Sequence, residues 1–316
     1  MCLPILMFKE RSMKLLNTKY TGNLMIIAAT LIWGAGFVAQ SAGMNYVSPL
    51  TFNAARFFIG GTIALFFTLL YWARQKSSRS EKGHSPAPFN KKNTIAGFIC
   101  GAVLCLAINL QQFGIQYTSV ANASFITSLY VIMVPIVCLV LFKKKVSIFV
   151  WVGAGVALVG IYFLSLSGGL SINFGDILIF LCAIMFCAQI LVISHFSPKH
   201  NVVALACVQF YTVFAISIVL AFIFETPAIS SLTAATPYVL YTGILSSGIA
   251  YILQMKAQKT TDATVAAVLF SFESVIAALA GWVILSETLS PRELIGCVLV
   301  FCAIMIAQIP SRTVAL

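Results

Sequence analysis

Ten apolar runs of about twenty residues follow one another along the chain, separated by short segments that contain proline, glycine or charged residues. As an α-helix rising about 1.5 Å per residue, such a run crosses the hydrocarbon core of a bilayer, which is roughly 30 Å thick. The sequence therefore predicts an all-α integral membrane protein with ten transmembrane helices, the eighth of them interrupted by Gly243 and Gly248. The predicted spans are 23–41, 50–72, 94–114, 121–142, 147–167, 174–194, 202–223, 236–255, 263–285 and 292–309.

The composition indicates lipid as the main solvent, because 60% of the residues are hydrophobic and only 9% are charged. In soluble domains about a quarter of the residues are charged. The net charge of +11 is carried by short basic clusters between the apolar runs, and this arrangement does not fit a nucleic-acid-binding face. We expect the lipid bilayer and a small molecule as partners, with no nucleic acid, and the sequence leaves the oligomeric state open.

The lysines and arginines orient the predicted helices. If the N-terminus is cytoplasmic, 17 of the 19 basic residues lie on the cytoplasmic side, as the positive-inside rule requires. The two exceptions are Arg56, within the second span, and Arg292, in the last outer loop. An incorrect number of spans would scramble this alternation, so the bias supports ten helices with both chain termini in the cytoplasm.

The N-terminus has the form of a signal peptide, since four basic residues precede the apolar run that starts at Leu24. Nine more spans follow, which favours a retained first helix behind a cytoplasmic N-terminal segment, 1–22. We predict a flexible cytoplasmic loop at 74–93, rich in serine, proline and charge, and a cytoplasmic tail at 310–316.

The two halves of the chain form a weak internal repeat. A shift of 143 residues brings the fourth and fifth spans onto the ninth and tenth, and matches Thr118 with Thr261 and Gly153 with Gly296. Each half contains five predicted helices, an odd number, so the second half must enter the membrane from the opposite side. Inverted halves of this kind occur in many secondary transporters, with the solute site between them near the midplane. The predicted repeats are 23–167 and 174–309.

Six short stretches along the chain form a pattern: WGAGFVAQ (33–40), TFNAARF (51–57), QQFGIQYT (111–118), SLY (128–130), SFESV (271–275) and LSETL (285–289). In order and spacing they resemble the EamA-domain branch of the drug/metabolite transporter superfamily. The resemblance covers nearly the whole chain, from Leu24 to Gln308. Two departures are Ser274, where the family usually has proline, and Lys143-Lys144, where the first half usually has Gly-Glu.

The resemblance implies secondary transport of an amino acid, a metabolite or a drug-like compound by alternating access, with export as the common direction. It also implies a multi-pass protein of the cytoplasmic membrane that is not an enzyme. We expect no cofactor and no metal site, and we treat the proton as a candidate coupling ion.

Two ionisable residues lie within predicted spans, where a charge is costly and therefore indicates function. Glu273 lies near the middle of the ninth span, where its carboxyl either binds solute or a coupling proton, or hydrogen-bonds a neighbouring helix. Arg56 lies near the outer end of the second span, where it either snorkels to the headgroups or binds a carboxylate of the solute.

Uncharged polar residues and one aromatic residue complete the candidate site. Each polar side chain either lines a cavity or forms a hydrogen bond between helices. Trp33 is a candidate apolar wall, and Pro135 within the fourth span is a candidate kink or hinge. The polar candidates are Asn109, Gln112, Ser124, Thr127, Ser128, Tyr130 and Ser271.

Two other classes of function compete with transport. A membrane-embedded enzyme would need clustered carboxylates or a nucleophilic constellation, and the chain has no aspartate pair in a loop, no H-E-x-x-H and no G-x-S-x-G. A channel would be expected to show a repeated charged or carbonyl-rich constriction, and the sequence contains none. A receptor that does not transport stays an alternative.

Overall fold

The computed structural model describes residues 3–78, 88–165, 173–285 and 290–309, and every regular element within these ranges is helical. Apart from the 3₁₀ turn Ser197–Lys199 and the short helix Ile229–Ala234, seven of the described helices are continuous and three are interrupted. The continuous helices are α1 (Leu3–Gly43), α2 (Pro49–Ser78), α3 (Lys91–Ile115), α5 (Ile148–Ser165), α6 (Phe174–Phe196), α7 (Val202–Phe224) and α10 (Pro291–Ala307). The interrupted helices are α4 (Val120–Thr127 and Tyr130–Val140), α8 (Thr236–Leu240, the π-helical Tyr241–Ala250 and Tyr251–Ala257) and α9 (Ala263–Phe270 and Phe272–Leu285).

Eight of these helices are long and apolar enough to span a membrane, namely α1 to α4 and α6 to α9. The fifth and tenth predicted spans are shorter helices, since α5 has 18 residues and α10 has 17. At about 1.5 Å per residue they reach roughly 25–27 Å. The structure therefore confirms an all-helical protein with eight candidate spans in its described part, while the count of ten spans and the cytoplasmic location of both termini stay predictions.

Several helix ends differ from the predicted loops. Helix α2 continues to Ser78 and α3 begins at Lys91, so both ends of the predicted loop 74–93 are helical because no proline or glycine stops them there. Residues 79–87 of that loop and the predicted tail 310–316 lie outside the described residues. Helix α1 begins at Leu3, and its apolar, membrane-length part begins at Tyr20.

Large apolar side chains cover the outside of the helix bundle. Phe222 exposes 71% of its side chain, Phe66 58% and Leu106 56%. In water such a surface would be unfavourable, but lipid chains solvate it. The exposed apolar surface thus agrees with the composition, and it leaves the bundle interior as the place for polar side chains.

The two halves pack against each other in a two-fold pattern. Helix α3 contacts α6 and α7, and correspondingly α8 contacts α1 and α2. Helix α4 packs on α6 as α9 packs on α1, while α2 pairs with α7, α4 with α9 and α5 with α10. Exchanging α1–α5 with α6–α10 leaves this set of contacts unchanged, so the halves share one packing plan.

The two-fold pattern extends to individual residues. A Cβ added to Gly101 of α3 would lie 2.8 Å from the carbonyl oxygen of Gln209 and 2.5 Å from Cβ of Thr212. A Cβ added to Gly243 of α8 would lie 3.2 Å from the carbonyl oxygen of Arg56 and 2.9 Å from Cβ of Ile59. Gly101 and Gly243 both allow a close approach of two helices. Because Gly101 contacts the carbonyl group of Gln209 as Gly243 contacts that of Arg56, Arg56 is the structural counterpart of Gln209.

The contact between α5 and α10 depends on two glycines that face each other. A Cβ at Gly160 would lie 2.9 Å from the carbonyl oxygen of Gly296, and a Cβ at Gly296 would lie 2.6 Å from that of Gly160. Both distances are shorter than a carbon–oxygen contact allows, so neither position accepts a side chain without moving the two helices apart. Gly155 on the same helix has no atom within 4 Å of its added Cβ.

Gly160→Ala is expected to lower the stability of the folded protein by about 1–3 kcal/mol, the usual effect of overpacking. Gly155→Ala is the matched control, because alanine favours a helix over glycine by about 1 kcal/mol and meets no atom there. Thermal denaturation of the two purified variants in detergent measures the difference. An equal melting temperature for both would contradict the close packing of α5 on α10.

Candidate functional site

A narrow cavity lies in the interior of the bundle, between both halves. Seven helices contribute to its wall: the continuous helices α1, α2, α3 and α6, and the interrupted helices α4, α8 and α9. Water molecules could place their centres in about 40 Å³ of it, room for only a few waters. The lining residues are Trp33, Gln40, Arg56, Gln111, Thr127, Tyr130, Phe186, Gln189, Ile190, Ser246, Tyr251, Gln254, Phe270 and Glu273.

The cavity lies where the two halves place equivalent residues. The shift of 143 residues relates Gln111 to Gln254 and Tyr130 to Glu273, and all four line the cavity. Tyr130 and Glu273 also occupy equivalent places in their helices, just after the interruptions of α4 and α9. The site is therefore built jointly by both halves, and neither half contains it alone.

Arg56 is one of two ionisable groups of opposite charge in the cavity wall. Its side chain is 2% exposed, so it lies inside the bundle and does not snorkel to the surface. Nη1 donates a hydrogen bond of 2.8 Å to Oε1 of Gln40, and the guanidinium lies 5.1 Å from the ring centre of Phe57 and 5.8 Å from that of Phe52. Its buried Nε has no hydrogen-bond partner among the described residues.

Gln40 holds Arg56 in this position. Its Nε2 donates to the carbonyl oxygen of Gly36 at 3.3 Å, which fixes the amide so that Oε1 faces the guanidinium. The backbone carbonyl of Gln40 accepts a 3.4 Å hydrogen bond from Nε2 of Gln112. The candidate Gln112 is fully buried behind Gln40, and it supports the site without lining the cavity.

Glu273 is the second ionisable group, and it differs from the other carboxylates that the structure describes. Those four each accept hydrogen bonds at the N-terminus of a helix: Asp176 at α6, Glu225 at α2, Asp262 at α9 and Glu293 at α10. Glu273 is 8% exposed, and no described residue donates a hydrogen bond to its carboxyl. It lies in the first turn of the second segment of α9, where the helix dipole favours negative charge.

Arg56 and Glu273 therefore bring opposite charges into one cavity. Although the structure describes both side chains, no ion pair joins them. An unpaired charge away from water costs several kcal/mol, so such groups are retained where they bind something. The arrangement can accept a molecule with an anionic group toward Arg56 and a cationic group toward Glu273.

Amide and hydroxyl groups line the wall around the two charges. Gln189 of α6 and Gln254 of α8 exchange two hydrogen bonds, of 3.3 and 3.1 Å, through their amide groups. Gln111 donates to the hydroxyl of the candidate Thr127 at 3.5 Å. These pairs give the cavity polar groups in fixed orientations, as specific binding of a small polar molecule requires.

Aromatic rings form the remainder of the wall. The ring of Trp33 lies 4.9 Å from that of Tyr251 and 5.7 Å from that of Phe270. Its Nε1 donates a 3.2 Å hydrogen bond to the carbonyl oxygen of Ser246, within the π-helical part of α8. The carbonyl groups of a π-helix are displaced from α-helical positions, and the indole donor satisfies one of them. The predicted wall residue Trp33 thus lines the cavity and also binds α1 to α8.

Three predicted serine candidates lie away from the cavity lining. The hydroxyl of Ser274 bonds to that of Ser124 at 3.1 Å and to that of Ser128 at 2.8 Å. Ser271 donates to the carbonyl of Val268 within its own helix at 2.6 Å. The cluster of Ser124, Ser128 and Ser274 bridges α4 and α9, the contact between the two halves next to the cavity.

Asn109 also lies away from the cavity lining. Its Nδ2 donates to the hydroxyl of Ser217 at 3.2 Å, and its Oδ1 accepts from Nδ2 of Asn53 at 2.7 Å. The side chain therefore joins α3 to α7 and α2. Of the ten predicted site residues, the structure brings Trp33, Arg56, Thr127, Tyr130 and Glu273 together in the cavity.

Pro135 lies within the continuous second segment of α4, and the interruption of that helix falls at 128–129. Helix α9 is interrupted at Ser271 without a proline. The break is therefore common to both halves and does not depend on Pro135, whose action as a hinge stays a prediction.

Sequence reasoning missed three glutamines of the cavity wall, Gln40, Gln189 and Gln254. Each is a polar amide within a long apolar run, and Gln254 falls on Gln111 under the 143-residue shift. Applying the repeat to polar residues would have found this pair. Nothing in the sequence separates a lining amide such as Gln189 from the buried Gln209, which does not line the cavity.

The chain matches the EamA-like transporter family twice, over residues 20–166 and 173–308. It belongs to the EamA-like transporter family. This confirms the family inferred from the sequence, and it makes the protein a multi-pass membrane transporter of the drug/metabolite kind. Transporters are in general not enzymes, which agrees with the expectation from the sequence.

Two relatives that match over most of their length are also named transporters. An uncharacterized transporter of Archaeoglobus fulgidus is 33% identical over 288 residues, which cover 91% of this chain and 85% of the relative. The uncharacterized transporter YoaV of Bacillus subtilis is 25% identical over 287 residues, 89% of this chain and 94% of its own. A crystal structure of a protein with 19% identity superposes with a TM-score of 0.75 over 92% of this chain and 96% of that protein, which supports the fold alone.

Ser274→Ala is expected to destabilise the EamA-like protein by about 1–2 kcal/mol, because Ser124 and Ser128 both lose their interhelical partner. Ser230→Ala is the matched control, since Ser230 is exposed on the short helix Ile229–Ala234. Thermal denaturation in detergent compares the two variants. If Ser274→Ala melts with the control, the serine cluster does not hold α4 against α9.

Proposed function

We propose that the protein is a secondary transporter that carries a small organic solute through the central cavity by alternating access. The observation that carries the proposal is the unpaired Arg56 and Glu273 in a cavity that both halves of the molecule build. Membership of a transporter family and the two matched segments support it. The halves then move against each other around the solute, and the cavity opens to one side at a time.

The charges of the cavity define the class of solute. A molecule that enters the bundle loses its hydration, and each charged group on it needs an opposite charge and hydrogen bonds in return. Arg56 offers a guanidinium with an unused Nε donor, which suits a carboxylate. Glu273 offers a carboxylate, which suits an ammonium group. We therefore propose a zwitterionic solute of the amino-acid type, with the rings of Trp33, Tyr251 and Phe270 facing its apolar part.

The dimensions of the cavity fit one stage of a transport cycle. The centres of water molecules can occupy only about 40 Å³ of it, so the cavity is narrow, and we propose that its walls move apart when a solute binds. Helices α4 and α9 are interrupted beside Tyr130 and Glu273. At such an interruption the turns on either side lack some of their backbone hydrogen bonds, so bending the helix there breaks fewer of them. We propose that these two helices move when the cavity opens.

Glu273 is also the group proposed to carry the coupling proton. Alone among the described carboxylates it has no fixed hydrogen-bond donor, so it can exchange a proton without breaking a helix cap. Solute and proton then bind to the same carboxyl in turn, and binding of one releases the other. We propose that the protein lies in the cytoplasmic membrane and exports its solute. Because such a carrier is reversible, the direction of net transport follows the driving gradient.

Glu273→Gln is expected to abolish the response of transport to a pH gradient, because an amide cannot take up a proton, while solute binding is partly retained. Glu293→Gln is the matched control, since Glu293 lies in a capping box at α10 and glutamine serves in the same motif. Counterflow in proteoliposomes with and without a pH gradient measures the effect. Proton-driven flux in Glu273→Gln equal to that in Glu293→Gln would remove Glu273 from the coupling step.

Arg56→Gln is expected to weaken the apparent affinity for a zwitterionic amino acid at least tenfold. The reason is the loss of one hydrogen bond to a charged group, which contributes about 1.5–3 kcal/mol. The same substitution at Arg292, which lies against the rings of Tyr162 and Phe163 outside the cavity, is the control. Counterflow with an amino acid, its amide and its deaminated acid shows which groups are recognised. If the amide is transported as well as the amino acid, Arg56 does not bind a carboxylate.

A further inference from the structure

A second and larger cavity lies on the side of the bundle, away from the proposed solute site. It is a groove of about 540 Å³. Helices α2, α7 and α8 form its walls. The lining includes Phe67 and Tyr71 of α2, Val202 of α7 and Ile252 of α8, and Lys256 and Lys259 lie where α8 ends.

The groove has an apolar length and a basic end. Phe67 is 52% and Tyr71 53% exposed, on a surface that belongs to lipid. At the end of α8, Lys256 and Lys259 are both exposed, and no described carboxylate forms an ion pair with either ammonium group. The nearest acidic residue in the sequence, Asp262, is held by the amide and hydroxyl of Thr264. Two positive charges therefore lie free at one end of an apolar groove.

From the length of α8 we place the basic end at the level of the lipid headgroups. Helix α8 is a membrane-length helix that ends at Ala257, so Lys256 and Lys259 lie within about one turn of its end. Asn201, just before α7, also lines the groove. A phosphate at this depth meets two ammonium groups, and the acyl chains below it meet mainly apolar walls.

We propose that the groove between α2, α7 and α8 is a binding site for an anionic phospholipid. The phosphate lies against Lys256 and Lys259, and an acyl chain lies along Phe67 and Ile252. Basic pockets between transmembrane helices bind anionic headgroups through the same combination of charge and apolar wall. A phosphatidylcholine headgroup fits less well, because its choline brings a third positive charge next to the two lysines.

Native mass spectrometry of the purified full chain, titrated with phosphatidylglycerol or phosphatidylcholine in detergent, tests the proposal. We expect retained phosphatidylglycerol and little phosphatidylcholine. The double variant Lys256→Gln/Lys259→Gln should bind phosphatidylglycerol about tenfold or more weakly, as expected for two lysines near a headgroup. Lys144→Gln/Lys145→Gln, which removes equal charge from two exposed lysines after α4, should bind as the unchanged protein does.

A variant of the apolar wall tests the groove itself. Leu253→Trp places a larger side chain in the groove and should exclude the acyl chain while both lysines remain. Thermal denaturation shows that each variant is folded. Three results would each overturn the proposal. They are equal retention of phosphatidylglycerol and phosphatidylcholine, an equal loss of phosphatidylglycerol binding in the two lysine double variants, and unchanged phosphatidylglycerol binding in Leu253→Trp. Complete displacement of the lipid by inorganic phosphate would assign the lysines to a free anion, and a dimer that forms only without lipid would assign the groove to a second copy of the chain.

Discussion

The structure depends on one constraint, which is that no water is available in the hydrocarbon core to hydrogen-bond a free polar group. The backbone meets this constraint by forming helices, and helix ends are satisfied by side chains. Glu225 at the end of α7 accepts hydrogen bonds from the backbone N–H groups of Leu50 and Thr51, 2.8 and 2.9 Å away, at the start of α2. Four of the five carboxylates whose side chains the structure describes thus complete helix ends. Against this background, an unsatisfied carboxyl inside the bundle is exceptional.

The same constraint explains why the two halves are alike in packing and different in chemistry. Glycines at equivalent places bring α3 against α7 and α8 against α2, and these contacts leave no freedom for side chains. Other positions carry no such restriction, so one half supplies Arg56 where the other has Gln209, and Glu273 where the other has Tyr130. Gln209 is itself fully buried, with no hydrogen-bond partner for either amide atom among the described residues. The shared packing plan thus carries an asymmetric set of polar groups.

The sequence predicts the parts of this structure that depend on the cost of polarity in lipid. Arg56 and Glu273 could be predicted as site residues because a charge within an apolar run is energetically costly and therefore indicates function. Both line the cavity. Ser124 and Ser128 could not be separated from Thr127, because a hydroxyl in a span serves equally well in a cavity wall or in a bond to the next helix. Only the position of Ser274 across the α4–α9 contact decides between these roles. The π-helical part of α8 was visible only as two glycines that interrupt a run, since backbone geometry has no signature in hydropathy.

The two-fold packing has an energetic consequence. Two arrangements of the bundle that differ only by exchanging the roles of α1–α5 and α6–α10 would make the same pairs of helix contacts, so the packing plan alone would not decide between them. The balance between them would rest on the positions where the halves are unlike. Arg56 against Gln209 and Glu273 against Tyr130 are such positions, and three of these four residues line the cavity. A molecule bound there would contact residues that differ between the halves, and its binding would shift the equilibrium.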